Sequence, residues 1–241
     1  MRIAVISDVH GNLEALEAVL AEIDRSAVDL LYSLGDVVGY GPSPAACLDA
    51  VRRRAAVALL GNHDAAVAGL ISLDEFNEFA GSTISWTAGQ LDDGQIAYLG
   101  LLPYTYREPD LLLVHASPIE PERWRYIHGM IDVDEHFAAF AERLCFVGHS
   151  HRPGVYTATC QGGVARRGVR ETLQAGQRYL VDVGSVGQPR DRDPRAAYVL
   201  YDTTDGCIEV RRVVYPVERT QERMRTAGLP AFLIDRLGAG V

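Results

Sequence analysis

The 241-residue chain is 48% hydrophobic and carries a formal charge of −9. That hydrophobic share supports a large core and excludes a disordered chain. The acidic balance counts against binding long nucleic acid, because backbone binding needs clustered positive charge.

Ile3-Ala4-Val5-Ile6 predicts a buried first strand, and its exit carries Asp8, His10 and Gly11. A helix is expected from Asn12 to Asp24, with Leu13, Leu16, Leu20 and Ile23 on one face. Asn12 can cap that helix and is also held as a candidate substrate contact. The apolar run 30–34 predicts a second strand that delivers Gly35 and Asp36 to its end. The turn-rich loop 39–44 feeds a helix from Ala45 to Arg54, and residues 55–60 predict a third strand whose exit is Gly61-Asn62-His63-Asp64. Strand, helix, strand, helix, strand argues for right-handed parallel crossovers.

Residues 65–102 read as helical, with Phe76, Phe79 and Trp86 as core and Pro103 as the stop. Leu111-Leu112-Leu113-Val114 predicts a buried strand that presents His115. A loop from Ser117 to Met130 holds Trp124, Tyr126 and His128, and a helix is expected from Asp132 to Ala141. Cys145-Phe146-Val147 then leads to Gly148-His149-Ser150-His151. Short strands follow at 155–157, 179–181, 197–200 and 208–210, with turn signals at Gln161-Gly162-Gly163 and Asp205-Gly206. This texture predicts a largely antiparallel second sheet. The tail from Val217 to Leu237 reads as two short helices broken near Gly228-Leu229-Pro230. With no repeat and no linker, the expectation is one domain over residues 1–241.

Cys47, Cys145, Cys160 and Cys207 show no C-x-x-C spacing, so a reduced, cytoplasmic protein is expected. Neither a signal peptide nor a membrane-spanning run is read from the chain. All 23 basic residues are arginine, which reads first as genome composition.

The polar residues that close the apolar runs carry the chemistry. Open α/β sheets place their sites at strand C-termini. Phosphate esters resist attack by anions, and two metal ions about 3.5–4 Å apart can neutralise the phosphoryl oxygens and ionise a water between them. Asp8, His10, Asp36, Asn62, His115, His149 and His151 supply a ligand set for two divalent ions, with Asp36 bridging them. Mixed imidazole and carboxylate ligation favours Mn, Fe, Zn or Co over Mg or Ca. Mn is the leading candidate, and Ni is also compatible. His63 stands beside Asn62 and can assist the leaving oxygen, with Asp64 placed to orient its ring. His128 and His136 close no motif and are read as structural.

Asp8-Val9-His10, Gly35-Asp36-Val37-Val38-Gly39, Gly61-Asn62-His63-Asp64, Val114-His115 and Gly148-His149-Ser150-His151 resemble the five blocks of the calcineurin-like metallophosphoesterase superfamily. Tyr40-Gly41-Pro42 and the run 184–191 resemble its compact bacterial and archaeal phosphodiesterase branch. The resemblance implies an α/β layered fold, two mixed β-sheets packed as a sandwich and flanked by helices. It implies one metal held by Asp8, His10, Asp36 and His151, and a second by Asp36, Asn62, His115 and His149. It makes His63 the leaving-group residue, oriented by Asp64. Asp182-Val183-Gly184 departs from the Asn-Pro-Gly usual in that branch.

The expected activity is a phosphodiesterase acting on a small phosphate ester or nucleotide through a hydroxide bridging the two ions. Diadenosine-polyphosphate hydrolase, protein phosphatase and metal-binding scaffold are the alternatives. Tyr40, Trp124 and Tyr126 are candidates to stack on a base. Arg190 is a candidate phosphate contact, the alternative being an ion pair with Asp191 or Asp193. No membrane partner is expected, and the sequence is silent on oligomeric state.

Overall fold

A computed structural model of the chain describes residues 1–128, 133–158 and 169–241 and the backbone of 164–166. Met130, Asp132, Cys160 and the Gln161-Gly162-Gly163 turn lie outside the described residues. The first strand, β1 (Arg2–Ile6), leads through a short loop into α1 (Leu13–Arg25). Asn12 caps that helix, its Oδ1 accepting the Ala15 N–H at 3.1 Å. Next come β2 (Leu30–Ser33), α2 (Pro44–Arg54) and β3 (Val57–Ala58). The third strand is only two residues long, against the six expected.

The stretch expected to be one helical region is divided. α3 (Asn62–Val67) begins at the Asn-His-Asp motif itself, and a 3-10 turn at Leu73–Glu75 precedes α4 (Glu78–Ala88) and α5 (Asp93–Gly100). The side chains of Asn77 and Asp92 cap the last two helices, which is why the chain breaks there. Phe79, expected in the core, is 43% exposed.

β4 (Thr105–Glu108), not anticipated, pairs antiparallel with β5 (Leu111–Val114). The helix expected from Asp132 to Ala141 is one turn, α6 (Val133–His136), followed by a 3-10 turn at Phe137–Ala139. The remaining strands are β6 (Leu144–Val147), β7 (Gly154–Ala158), β8 (Val164–Arg166), β9 (Arg170–Thr172), β10 (Tyr179–Asp182), β11 (Ala196–Asp202) and β12 (Cys207–Val213). Two helices, α7 (Val217–Thr226) and α8 (Ala231–Ala239), close the chain, broken at Gly228-Leu229-Pro230 as expected.

Among the described residues these form two six-stranded sheets, ordered β3-β2-β1-β11-β12-β9 and β4-β5-β6-β10-β7-β8. The crossovers β1 to β2 and β2 to β3 are parallel, as are β5 with β6 and β6 with β10. The expectation of a separate antiparallel sheet after His151 is corrected. β11, β12 and β9 extend the first sheet, whereas β7, β8 and β10 complete the second. Strand texture reports local pairing sense but not the sheet a strand joins.

Period-two alternation sorts the side chains into layers. Ile3 and Val5 meet Leu111, Leu113, Phe146 and Val181 between the sheets. Ala4 and Ile6 turn the other way, onto Leu16, Val19 and Ile23 of α1 and Leu48 and Val51 of α2. Leu112, Val114, Cys145 and Val147 point to the outer face of the second sheet, against Phe137 and Phe140. Both faces of each central strand are therefore covered. Their polar residues are confined to the strand ends, and the C-terminal ends of β1, β2, β3, β5 and β6 present the candidate site.

Candidate metal centre

The exits of β1 and β2 are zipped together by backbone bonds. Asp8 N–H donates to the Gly35 carbonyl at 3.0 Å, His10 to Asp36 at 2.9 Å and Gly11 to Val37 at 2.9 Å. Strand geometry does not continue through these loops. Asp8, His10, Asp36, His149 and His151 all have φ between 47° and 64°. Left-handed backbone in non-glycine residues costs on the order of 1–3 kcal/mol each and concentrates at functional sites. The strain is held by the surrounding bonds, including Gly148 N–H to His115 O at 2.7 Å and Gly187 N–H to Asp8 O at 2.9 Å.

Each central carboxylate is anchored by one oxygen. Asp8 Oδ2 accepts the His149 N–H at 2.9 Å, and Asp36 Oδ1 accepts the His63 N–H at 2.8 Å. The free oxygens face imidazoles. Asp8 Oδ1 lies 3.1 Å from His151 Nε2 and 3.6 Å from His10 Nε2. Asp36 Oδ2 lies 3.7 Å from His10 Nε2 and 3.5 Å from His115 Nε2. Asp36 is thus the carboxylate that touches both halves of the cluster.

The imidazoles are aimed by backbone carbonyls. His10 Nδ1 bonds Val38 O at 3.2 Å, His115 Nδ1 bonds Leu34 O at 3.0 Å and His151 Nδ1 bonds Gln188 O at 2.6 Å. A carbonyl only accepts, so each Nδ1 carries the proton and, in the neutral ring, each Nε2 keeps its lone pair. His10 Nε2 and His151 Nε2 are nevertheless 3.2 Å apart. Two lone pairs that close require positive charge between them.

The same demand appears at other buried atoms. Asp8 Oδ1, Asn62 Oδ1, His115 Nε2 and His149 Nε2 have no hydrogen-bond partner among the described residues. Asp8-His10-His151, His10-Asp36-His63 and Asp36-His115-His149 each converge closely enough to hold an ion. Oxygen and imidazole donors, with no thiolate, suit a divalent first-row metal. The residues therefore fit divalent metal, and an unpaired buried polar set is otherwise costly.

The charges respond in the same sense. Burial would raise Asp8, but the imidazoles of His151 and His10 outweigh it and hold the carboxyl well below its usual range. Burial would likewise raise Asp36, and His115 and His63 overcome it and lower it. Burial would lower His115, but the Asp36 carboxylate carries it up to about 9. Burial pushes His149 down to about 3 and, with the Arg190 charge, His151 down to about 4.

His63 reaches the cluster, but Asp64 does not orient its ring. Asp64 Oδ1 accepts Val38 N–H at 3.1 Å and Oδ2 accepts Gly61 N–H at 3.2 Å. The acid therefore latches the β2 exit to the start of α3, and burial, reinforced by the Asp36 charge, raises it to about 7. The His63 ring is held instead by Tyr40, Phe76 and His10, with ring centres 4.4, 5.2 and 4.8 Å away. Burial drives its pKa well below the ordinary value.

Asn12 is likewise a scaffold residue rather than a substrate contact. Its Oδ1 also accepts from Thr220 Oγ1 at 3.0 Å, and its Nδ2 donates to Gly187 O at 2.8 Å and Tyr215 Oη at 3.2 Å. No hydrogen-bonding capacity is left for a ligand. Arg190 forms no ion pair with Asp191 or Asp193, which pair with Arg212 and Arg195. Its Nη2 donates to Gln188 Oε1 at 2.8 Å, and its guanidinium lies 5.9 Å from the Tyr40 ring centre. Tyr40 and Trp124 are buried, whereas Tyr126 is 47% exposed and stacks on His149 at 4.0 Å.

Sequence reading missed the carbonyls of Leu34, Val38 and Gln188, since a backbone acceptor leaves no mark in residue type. It also missed Phe76 as a His63 neighbour and Arg152. A cation directly after the His149-Ser150-His151 motif was the available signal for the latter.

Carboxylate and imidazole donors thus converge at the strand ends of a two-sheet α/β sandwich as a candidate metal centre. The family model for the calcineurin-like phosphoesterase superfamily domain matches residues 1–206. The chain belongs to that superfamily. It is 38% identical to the uncharacterized protein MJ0912 of Methanocaldococcus jannaschii, over 99% of this chain and 98% of that protein. Among solved structures, a metallophosphoesterase from Sphaerobacter thermophilus is 43% identical with a TM-score of 0.88, covering 100% of this chain and 99% of that one. The hypothetical protein PH1004 from Pyrococcus horikoshii shares the fold at 20% identity, with a TM-score of 0.77 and coverage of 100% and 98%. No helix among the described residues is long and apolar enough to cross a membrane.

Proposed function

We propose that this chain is a metal-dependent phosphodiesterase that hydrolyses a small phosphate ester or nucleotide. The observation that carries the reading is the facing pair of imidazole nitrogens, His10 and His151, beside the unpaired oxygen of Asp8. Asp8, His10, Asp36 and His151 would hold one divalent ion, and Asp36, Asn62, His115 and His149 a second. Two such ions supply a hydroxide nucleophile at neutral pH and offset the charge of the phosphoryl oxygens.

The chain's own groups do the rest. Asp36 joins the two halves, and its buried carboxylate stays ionised to do so. The carbonyl bonds of His10, His115 and His151 fix one proton on Nδ1, so Nε2 is the atom each ring would offer a metal. At His115, which the Asp36 carboxylate carries up to about 9, the ion would displace the second proton. His63, clamped by Tyr40 and Phe76, presents a ring N–H toward the leaving oxygen. The buried floor of the site excludes water, which strengthens each of these contacts.

A diester is favoured by shape. A cavity of about 270 Å³ lies against Asn62, His63, His149, Phe76 and Trp124. A second, of about 500 Å³, lies against Ser150, Arg152 and Arg190. Tyr126 lines both. A phosphorus centred between them has room for a substituent on either side.

The test is hydrolysis of bis(p-nitrophenyl) phosphate by metal-stripped protein titrated with Mn, beside Asp36→Ala and His63→Ala. Activity that saturates near two ions per chain and vanishes in Asp36→Ala is expected. An inability of the wild-type chain to bind any divalent metal would overturn the reading.

A further inference from the structure

The larger cavity has a chemical character that the metal cluster does not explain. Its wall carries Arg152 and Arg190, and neither guanidinium is ion-paired among the described residues. The one carboxylate among the described lining residues, Asp191, is paired with Arg212. In a chain of net charge −9, a cavity with two unpaired cations and its single acid neutralised is set apart. Several arginines elsewhere are neutralised by acids, among them Arg125 by Glu120, Arg195 by Asp193, Arg211 by Glu209 and Arg223 by Glu14.

The two cations are also built into place. Arg152 Nε donates to the Arg190 carbonyl at 3.0 Å, and Arg152 N–H donates to Ser150 Oγ at 3.0 Å. Arg190 N–H donates to the His151 carbonyl at 3.1 Å, and its side chain is braced on Gln188 Oε1. Both are therefore tied to the turn that carries two of the candidate metal ligands, His149 and His151. Arg152 Nη1 and Nη2 have no partner among the described residues, which leaves a planar pair of donors on an exposed side chain. Such a fork matches a phosphate oxygen pair. The cavity's volume is in the range that holds a nucleotide-sized group.

We propose that this cavity binds a second, uncleaved phosphate of the substrate through Arg152 and Arg190, so that the substrate class is a phosphate ester carrying a further phosphoryl group, such as a nucleoside bisphosphate ester. The proposal rests on the phosphodiesterase reading for the identity of the cleaved group, but the anion site itself does not need the metals. The smaller cavity beside His63 then takes the leaving group, and the retained, doubly charged part of the substrate sits on the arginine side.

Two measurements on the full chain separate the claims. The first is calorimetric titration of metal-stripped protein with thymidine 3′,5′-bisphosphate and with thymidine 5′-monophosphate. The second is Mn-dependent hydrolysis of thymidine 5′-(p-nitrophenyl phosphate) with and without a 3′-phosphate. The bisphosphate should bind at least tenfold tighter than the monophosphate, about the worth of one charge-assisted hydrogen bond. That advantage should fall about tenfold in Arg152→Gln and in Arg190→Gln, which keep much of each side chain's bulk, and recover in part in Arg152→Lys. Arg152 is exposed, so Arg152→Gln should fold, and an unchanged melting curve checks this.

Arginine-dependent bisphosphate binding without hydrolysis of either ester would uphold the anion site and sink the phosphodiesterase reading. Hydrolysis of the plain ester, with no gain from the 3′-phosphate and no loss of bisphosphate binding in the arginine variants, would uphold the phosphodiesterase and overturn the anion site.

Discussion

Gly61 is where packing and ligation meet, and its replacement by alanine tests both. A methyl carbon at position 61 would stand 2.1 Å from Asp36 Oδ1, 2.7 Å from Asp36 Cγ and 2.4 Å from the Asp36 backbone nitrogen. The φ of Gly61 is −94°, so an alanine meets no conformational penalty there and the cost is one of space. A carboxylate can swing, but a backbone nitrogen cannot, and contact begins near 3.4 Å. The β2 exit must therefore move by about 1 Å, at a typical overpacking cost of about 1–3 kcal/mol. For a chain of this size that lowers the melting temperature by about 2–12 °C. Asp36 moves with its backbone, so Mn affinity should fall about 10–100-fold, the usual loss when a ligand's support is disturbed. The assay is thermal melting of metal-stripped protein and calorimetric titration with Mn. Gly81→Ala, inside α4, is the control, because the nearest atom to its new methyl is Leu73 O at 4.0 Å. That change should stabilise by about 0.4–1 kcal/mol and leave Mn binding alone. Wild-type melting and Mn affinity in Gly61→Ala would refute the reasoning.

Other substitutions probe separate points. His63→Ala should bind as much Mn as wild type yet lose about 10²–10⁴ in kcat toward a diester; lost metal stoichiometry would make it a ligand instead. Asn12→Ala removes the α1 cap and the bonds to Gly187, Tyr215 and Thr220, and should destabilise by about 1–3 kcal/mol with KM unchanged; a raised KM at wild-type stability would restore it as a substrate contact. Asp182 is buried, accepts from Ser150 Oγ and from Gly184 N–H at 2.9 Å, and burial raises its carboxyl to about 8. A carboxyl raised in the fold contributes stability that is complete below its unfolded value near 3.8 and is lost as pH rises toward 8. Asp182→Asn keeps an acceptor for Gly184 and removes that loss, so its melting temperature should gain on wild type between pH 4 and pH 8 and then run parallel; a constant difference across that window would show that Asp182 does not titrate there.

Much of the site was legible because strand ends punctuate the chain. An apolar run that stops at Asp8, Asp36, His115 or His149 carries both halves of the inference in one place: a strand, and a candidate ligand at its C-terminus. The crossovers β1 to β2 and β2 to β3 were legible for the same reason. Sheet membership was not. β10 and β11 are similar apolar runs, yet β10 pairs with β6 and β7 while β11 pairs with β1 and β12. Which neighbour a strand finds depends on contacts far along the chain.

Residue type and order alone put forward the candidate donor set: carboxylate, amide and imidazole, no thiolate, and seven positions spread over five strand exits. Folding decided how those donors point. The Nδ1 atoms of His10, His115 and His151 are fixed by carbonyls 28, 81 and 37 residues away, and a carbonyl belongs to every residue alike. Folding likewise turned Asp64 from a partner of His63 into a latch on Val38 and Gly61, and Asn12 from a substrate contact into a cap bonded to Gly187. Among the described residues it also left Arg152 and Arg190 without an ion pair while Arg212 took Asp191. Charge can be counted in a sequence, but which charges neutralise one another is settled only by the distances that the packed chain imposes.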